Sequence, residues 1–233
     1  MKFRKIFFSV FILATSYSLA GIAQDREDRV ITTGASFLLM TPDARAAGMG
    51  DLGVATSADA YSQHWNPAKY VFAESPKGVS LSYTPYLRSI IDGIFLGSLT
   101  YYSQINERSS WAGSIKYTTV GEIYLNTKMG SEIVDQGSVR PHELHIDFSY
   151  ALKLSDRFAM SVAGRYIRSD LKISADVDAS SSNSLGVDVA GFYKGNNFDL
   201  FNKKAFLRAG FNMSNIGPKI KYEEGGQESY IPT

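Results

Sequence analysis

Apolar and polar residues alternate along most of this chain. Residues 144–154 read Leu-His-Ile-Asp-Phe-Ser-Tyr-Ala-Leu-Lys-Leu, apolar at every first position and small or polar at nearly every second. A period of two puts successive side chains on opposite faces, so this segment predicts a strand with one greasy and one wet face. Six further segments carry the same period: 79–86, 94–103, 111–118, 158–166, 185–193 and 207–213. Val79, Leu81 and Tyr83 oppose Ser80, Ser82 and Thr84 in the first; Leu207, Ala209, Phe211 and Met213 oppose Arg208, Gly210 and Asn212 in the last. Only 94–103 leaves its faces undecided, because both are fairly apolar. Seven strands of this kind, closed into a barrel, are long enough to cross a thin membrane.

A soluble β-sandwich shows the same alternation, and charge placement separates the two. Lys116, Lys153, Arg165, Asp188 and Arg208 all fall on the polar face. Turned toward lipid near the midplane, each basic residue would cost about 2–4 kcal/mol; turned inward, it meets partners or water. Tyr83, Tyr86, Tyr101, Tyr102, Tyr117, Tyr150, Tyr166 and Tyr193 gather toward strand ends, where ring and hydroxyl straddle a lipid–water boundary. The connections agree. Ser155, Asp156 and Arg157 form a hairpin-sized turn, whereas 126–140 and 170–183 are long, and parity puts both long loops at the same end. Seven is an odd count, and no aromatic strand closes the sequence after Glu223-Glu224-Gly225-Gly226, so a first half of a larger barrel is expected.

Residues 34–72 do not alternate. Asp59 is expected to cap a short helix that ends near Asn66, because Pro67 follows. A compact plug inside the lumen fits such a segment better than a spanning strand. His64 and Trp65 invite a functional reading, but the other histidines, His142 and His145, stand beside a distant loop. A packed Trp65 with a hydrogen-bonded His64 is the expectation, and no metal site is. Gly48-Met49-Gly50 lacks the lysine of a phosphate loop, and no serine sits in a nucleophile elbow. No catalytic residue, cofactor or enzymatic activity is expected.

The amino terminus adds a compartment. Lys2, Arg4 and Lys5 precede an apolar run over 6–14, and Gly21 and Ala23 have the spacing of a signal-peptidase site. The expected organisation is a signal peptide over 1–23, a plug with short helices over 24–77, and the first half of a transmembrane β-barrel over 78–233. Without the leader the chain has 21 basic and 23 acidic residues, a formal charge of −2, which offers nucleic acid nothing. It contains no cysteine, so no disulfide scaffold operates.

Two stretches carry a resemblance. Pro42-Asp43-Ala44-Arg45-Ala46-Ala47-Gly48-Met49-Gly50-Asp51-Leu52-Gly53-Val54-Ala55-Thr56, then Asn66-Pro67-Ala68-Lys69-Tyr70, resembles the PorV family of the type IX secretion system. The likeness continues through Asn215-Ile216-Gly217-Pro218-Lys219-Ile220. The paralogous PorQ family has a similar start and stands second. The wider relatives are FadL-like outer-membrane barrels of fourteen strands with a small amino-terminal domain in the lumen, so about seven strands would be present here. The resemblance implies a shuttle without bond chemistry. It would bind the C-terminal signal domain of cargo leaving the SprA translocon and deliver it to the PorU–PorZ attachment complex, with outer-membrane lipid as its surroundings. The long loops are then the expected cargo-facing surface. The alternative it implies is a FadL-type transporter of hydrophobic small molecules, which requires an apolar lumenal pocket.

Overall fold

All seven predicted strands form, in one antiparallel sheet. A computed structural model describes residues 33–90, 92–129, 132–171, 181–200, 203–222 and 228–232; the expected signal peptide lies outside them. The strands are β1 (Lys77–Pro85), β2 (Ile94–Asn106), β3 (Ser109–Val120), β4 (Ile123–Met129), β5 (Glu132–Val139), β6 (His142–Lys153), β7 (Phe158–Asp170), β8 (Ser182–Leu200) and β9 (Lys203–Ile216). The main sheet runs β1-β2-β3-β6-β7-β8-β9, each strand antiparallel to its neighbours. It is the curled all-β sheet of an outer-membrane barrel.

Register turns the period of two into two opposite surfaces. One cross-strand row is Leu81, Leu99, Ile115, Ile146, Tyr166 and Leu185. Every member is exposed, Leu81 by 77%. The next row along, Ser80, Thr100, Ser114, Asp147 and Arg165, is buried throughout. A water-soluble sheet would hide the first row and wet the second. This inversion, apolar outside and polar inside, suits a lipid surround and excludes the sandwich. The undecided second strand resolves the same way: Leu96, Ser98, Thr100 and Tyr102 point in, Leu99 and Tyr101 point out. Tyr102 therefore leaves the expected boundary belt. It is buried and stacks on Tyr70 at 4.4 Å.

The connections sort by length. Glu107-Arg108 and residues 154–157 turn the chain at one end, and the longer connections over 86–93 and 121–141 lie at the other. The third-to-fourth connection is more structured than a loop. β4 and β5 pair as a separate two-stranded hairpin, with Ile123 opposite Val139 and Met129 opposite Glu132. Ile123, Tyr124 and Leu125 thus begin a new strand instead of extending β3, because Gly121 turns at φ +81° between them.

The non-alternating segment folds on the polar face. It comprises 3₁₀ turns at Ser36–Leu39 and Pro67–Phe72 and the short helices α1 (Ala44–Gly48) and α2 (Ser62–Trp65). Pro67–Phe72 touches β2, β3, β6, β7 and β8, which only a segment on the inner face can do. The helix ends at Asn66 as expected. Its capping differs: the Asp59 carboxylate accepts from the Tyr61 amide and the Ser62 hydroxyl, both at 3.1 Å, so it braces the preceding turn and Tyr61 takes the cap position.

Candidate functional site at the plug–wall seam and the rim

The Asn-Pro-Ala-Lys-Tyr run is the fastener between plug and wall. The Asn66 amide donates to Val54 O at 3.0 Å within the plug and to Gly191 O of β8 at 2.9 Å, while its oxygen accepts from the Ala68 amide at 3.1 Å. Pro67 opens the 3₁₀ turn, where a missing N–H costs nothing. Ala68 packs without exposure against Ala151, Ala159 and Phe192. Lys69 is buried, and its ammonium donates to Gly53 O at 2.7 Å and Thr56 Oγ1 at 3.2 Å; burial brings its pKa from 10.5 down to about 8. The Tyr70 hydroxyl accepts from the Gln63 amide at 2.8 Å and donates to Ala60 O at 3.2 Å. Each residue of the run has a separate duty, which is why the run is recognisable.

The longer motif builds the plug itself. Asp43 caps α1 through the Ala46 amide at 2.7 Å and accepts the Trp65 indole N–H at 2.9 Å. Arg45 reaches Asp59 at 3.1 Å and Ser57 at 3.1 Å on the exposed side. Gly53 lies under the Trp65 ring, where a Cβ would stand 2.1 Å from the indole. Gly53→Ala is therefore expected to lower stability by about 1–3 kcal/mol, read as an earlier thermal transition. An unchanged transition would mean that Trp65 moves aside freely.

Behind the plug, the wall holds charge in dry surroundings. Asp147 of β6 accepts from Ser114 of β3 at 2.9 Å, from Arg165 of β7 and from His145 at 3.3 Å. Arg165 also donates to Asp188 of β8 at 2.9 Å and to the Asn215 side chain. Asn215, at φ +59°, gives its backbone N–H to Asp188 at 2.6 Å and its amide to Pro232 O at 2.7 Å. Lys116 of β3, 1% exposed, donates to Met40 O of the plug at 2.8 Å. Two cations, Lys116 and Arg165, balance two carboxylates, Asp147 and Asp188. Such a set is tolerable in the interior only because each member is partnered. The carboxy-terminal motif enters here through Asn215, and through Gly217, whose Cβ would stand 2.1 Å from Leu185 O.

The expected site residues separate. Lys116, Arg165 and Asp188 join the network, whereas Lys153 and Arg208 lie half-buried toward the short-turn end. His64 meets Trp65 edge-on at 4.8 Å, and among the described residues its ring makes no hydrogen bond, contrary to expectation. Burial, with Lys116 and Arg165 adding, holds its pKa well below the usual range, so it is neutral. His142 stacks on Tyr117 and His145 bonds Asp147, so the three histidines have separate neighbours. Sequence reading missed Gln63 and Gln104. Gln63 accepts the Ser149 hydroxyl at 2.6 Å, and Gln104 donates to Tyr70 O and Ala73 O. Only the inward parity of Gln104 could have signalled it.

At the opposite rim the hairpin is clamped at its base. Glu122 accepts from the Ser138 hydroxyl at 2.6 Å and from Arg140 at 3.3 Å, and these bonds hold its carboxyl below the usual range. Ile123, Tyr124 and Val134 remain exposed above the clamp.

The family described as Type IX secretion system protein PorV matches residues 23–233. The chain belongs to this family. No curated protein matches it. Membership makes the chain an outer-membrane component of a type IX secretion system. The Asn-Pro-Ala run is then where this member of the PorV family fixes plug to wall, and the Asn215 turn ties the end of β9 to Asp188 and Arg165 within the wall.

Proposed function

We propose that this PorV-family protein is a cargo shuttle without bond chemistry of its own. It receives secreted proteins by their C-terminal signal domain as they leave the SprA translocon, and passes them to the PorU–PorZ attachment complex. The observation that carries the reading is the β4–β5 hairpin at the long-loop end, whose Ile123, Tyr124 and Val134 are exposed beyond the clamped base. Apolar groups held up on a braced two-stranded arm are suited to a folded partner. The long-loop end is then extracellular, and a leader over 1–23 delivers a plug over 24–77 and a barrel half over 78–233. The start of the family match at residue 23 accords with that leader.

The lumen weighs against the FadL-type alternative. A route for hydrophobic molecules needs an apolar lining, and here the inward face sets Leu96, Ile167 and Phe192 among serine, threonine, lysine, aspartate and arginine, with Asn66 and Lys116 tying the plug across it.

Photo-crosslinking from positions 124 and 134 in outer membranes, with position 81 on the lipid face as control, tests the reading. Adducts to secreted proteins carrying the C-terminal signal domain, or to SprA, are expected from the hairpin and not from the control. Hairpin probes that label no protein while the protein is correctly inserted would overturn the shuttle.

A further inference from the structure

The short-turn end has charges that nothing in the fold uses. A cavity of about 670 Å³ opens there between the plug and the wall, floored by Val71 and Phe72 and rimmed by Lys153, Arg157 and Lys194. A second cavity of about 380 Å³ adjoins it, shares Lys153 and adds Arg108. Glu107 and Asp156 are the acidic members, so four cations face two carboxylates. In mid-lumen every charged side chain of the wall network is partnered. Here, among the described residues, none of the six has a side-chain hydrogen bond or an ion pair. Lys153 is held only over the Phe72 ring, 5.1 Å from its centre.

Strand geometry adds an independent feature. β7 begins at Phe158, opposite Tyr193, so β8 runs on past its end from Lys194 to Leu200. Over that overhang β8 pairs with β9 on one side; on the other the Lys194 N–H donates to Arg157 O at 2.8 Å, and beyond it no described strand lies along the edge. The register also slips between Lys194 and Asn197, leaving Gly195 and Asn196 as a bulge beside the cavity. A free strand edge offers alternate N–H and C=O groups to an extended chain, and a bulge at a barrel rim is a common place for a binding feature.

We infer that this end binds an extended acidic peptide segment. It lies along the overhanging edge of β8 with its carboxylates directed to Lys153, Arg157 and Lys194. A lipid headgroup is the wrong occupant, because the basin is walled by the plug on the inner face while lipid covers the outer one. Glu107 and Asp156 repel a fully acidic ligand, and this gives the test a second direction.

The test is fluorescence anisotropy of the purified full-length protein in detergent, with a labelled, end-blocked Glu-Thr-Glu-Thr-Glu peptide. Binding is expected, with at least about tenfold weaker binding of the Gln-Thr-Gln-Thr-Gln counterpart, since complementary charge discriminates between partners. Lys153→Met with Lys194→Met keeps both aliphatic stems and is expected to weaken the acidic peptide about tenfold. Glu107→Gln with Asp156→Asn removes repulsion and is expected to tighten it about threefold; this pair keeps the test valid if the lysine variant misfolds. Absence of binding, equal binding of the two peptides, or indifference to both charge pairs would overturn the inference. So would displacement by inorganic phosphate as effective as by unlabelled peptide, which would mark a phosphate site instead.

Discussion

Replacing Arg165 with Met is expected to cost the folded protein about 3–5 kcal/mol, the loss typical of a buried ion pair broken from one side. Arg165 is 5% exposed and lies between Asp147 and Asp188, which are buried on the strands to either side. Among the described residues its guanidinium is the only cation that touches both carboxylates, and it also meets Asn215 near the end of β9. Met fills the space of the stem but leaves two carboxylates facing each other in a dry wall. Lys is no rescue, because a single ammonium lacks the planar fork that serves acceptors on three strands at once. Thermal unfolding in detergent should show the loss as a large drop in the transition. Asp147→Asn and Asp188→Asn added to Arg165→Met should recover part of it, since of the four charges only Lys116 then remains, with its ammonium on Met40 O. A single Met variant that melts with the native protein would mean that water reaches the cluster and that the seam is not dry.

What the sequence makes legible follows from distance along the chain. Alternation is a local property, so residues 144–154 announce a strand and place His145, Asp147 and Lys153 inward without help from any other segment. Which charge meets which is not local. Asp147 finds Arg165 eighteen residues on, and Arg165 finds Asp188 twenty-three residues further, through registers that hydrogen-bond ladders and turn lengths set together. The β4–β5 hairpin was hidden for another reason. Its short strands pair only with each other, so no core-facing period marks them, and a polar stretch such as Asp135-Gln136-Gly137 reads as loop. Tyr102 shows the limit of composition: tyrosine near a strand end suggests the membrane boundary, but parity with Leu96 and Thr100 sends it inward to Tyr70. The plug motif was legible as a motif and opaque as a mechanism. Gly53 is required by the Trp65 ring twelve residues away, and Asn66 by a β8 carbonyl 125 residues away.

Asn66→Asp isolates that last contact with the smallest possible change. The substitution keeps the oxygen that accepts from the Ala68 amide and exchanges the donor for a second oxygen. That oxygen faces Val54 O and Gly191 O, acceptors that the native amide reaches at 3.0 and 2.9 Å. Asn66 is fully buried, so the carboxylate keeps only the Ala68 N–H, and its new oxygen has neither a donor nor water. A loss of about 3–5 kcal/mol at neutral pH is expected for an uncompensated buried charge. Burial and two carbonyl oxygens raise the carboxyl's folded pKa above its unfolded value of about 3.9. Protonation is then favoured in the folded state, so the variant is closest to native stability below that unfolded value. The deficit grows as the pH rises and stops growing above the folded pKa. In acid the protonated Asp can donate to one of the two carbonyls but not both, so part of the deficit persists there. Asn66→Ala, which loses the donor without adding charge, should show a smaller deficit with no such pH dependence. Proteolysis of the plug alongside thermal unfolding distinguishes the consequences: release of Pro67–Phe72 from β8 exposes the segment after Asn66 while the strands stay paired. If the Asp variant is instead native-like at neutral pH, the Asn66–Gly191 contact does not fasten the plug, and the other ties, Lys116, Gln63 and Gln104 among them, hold it.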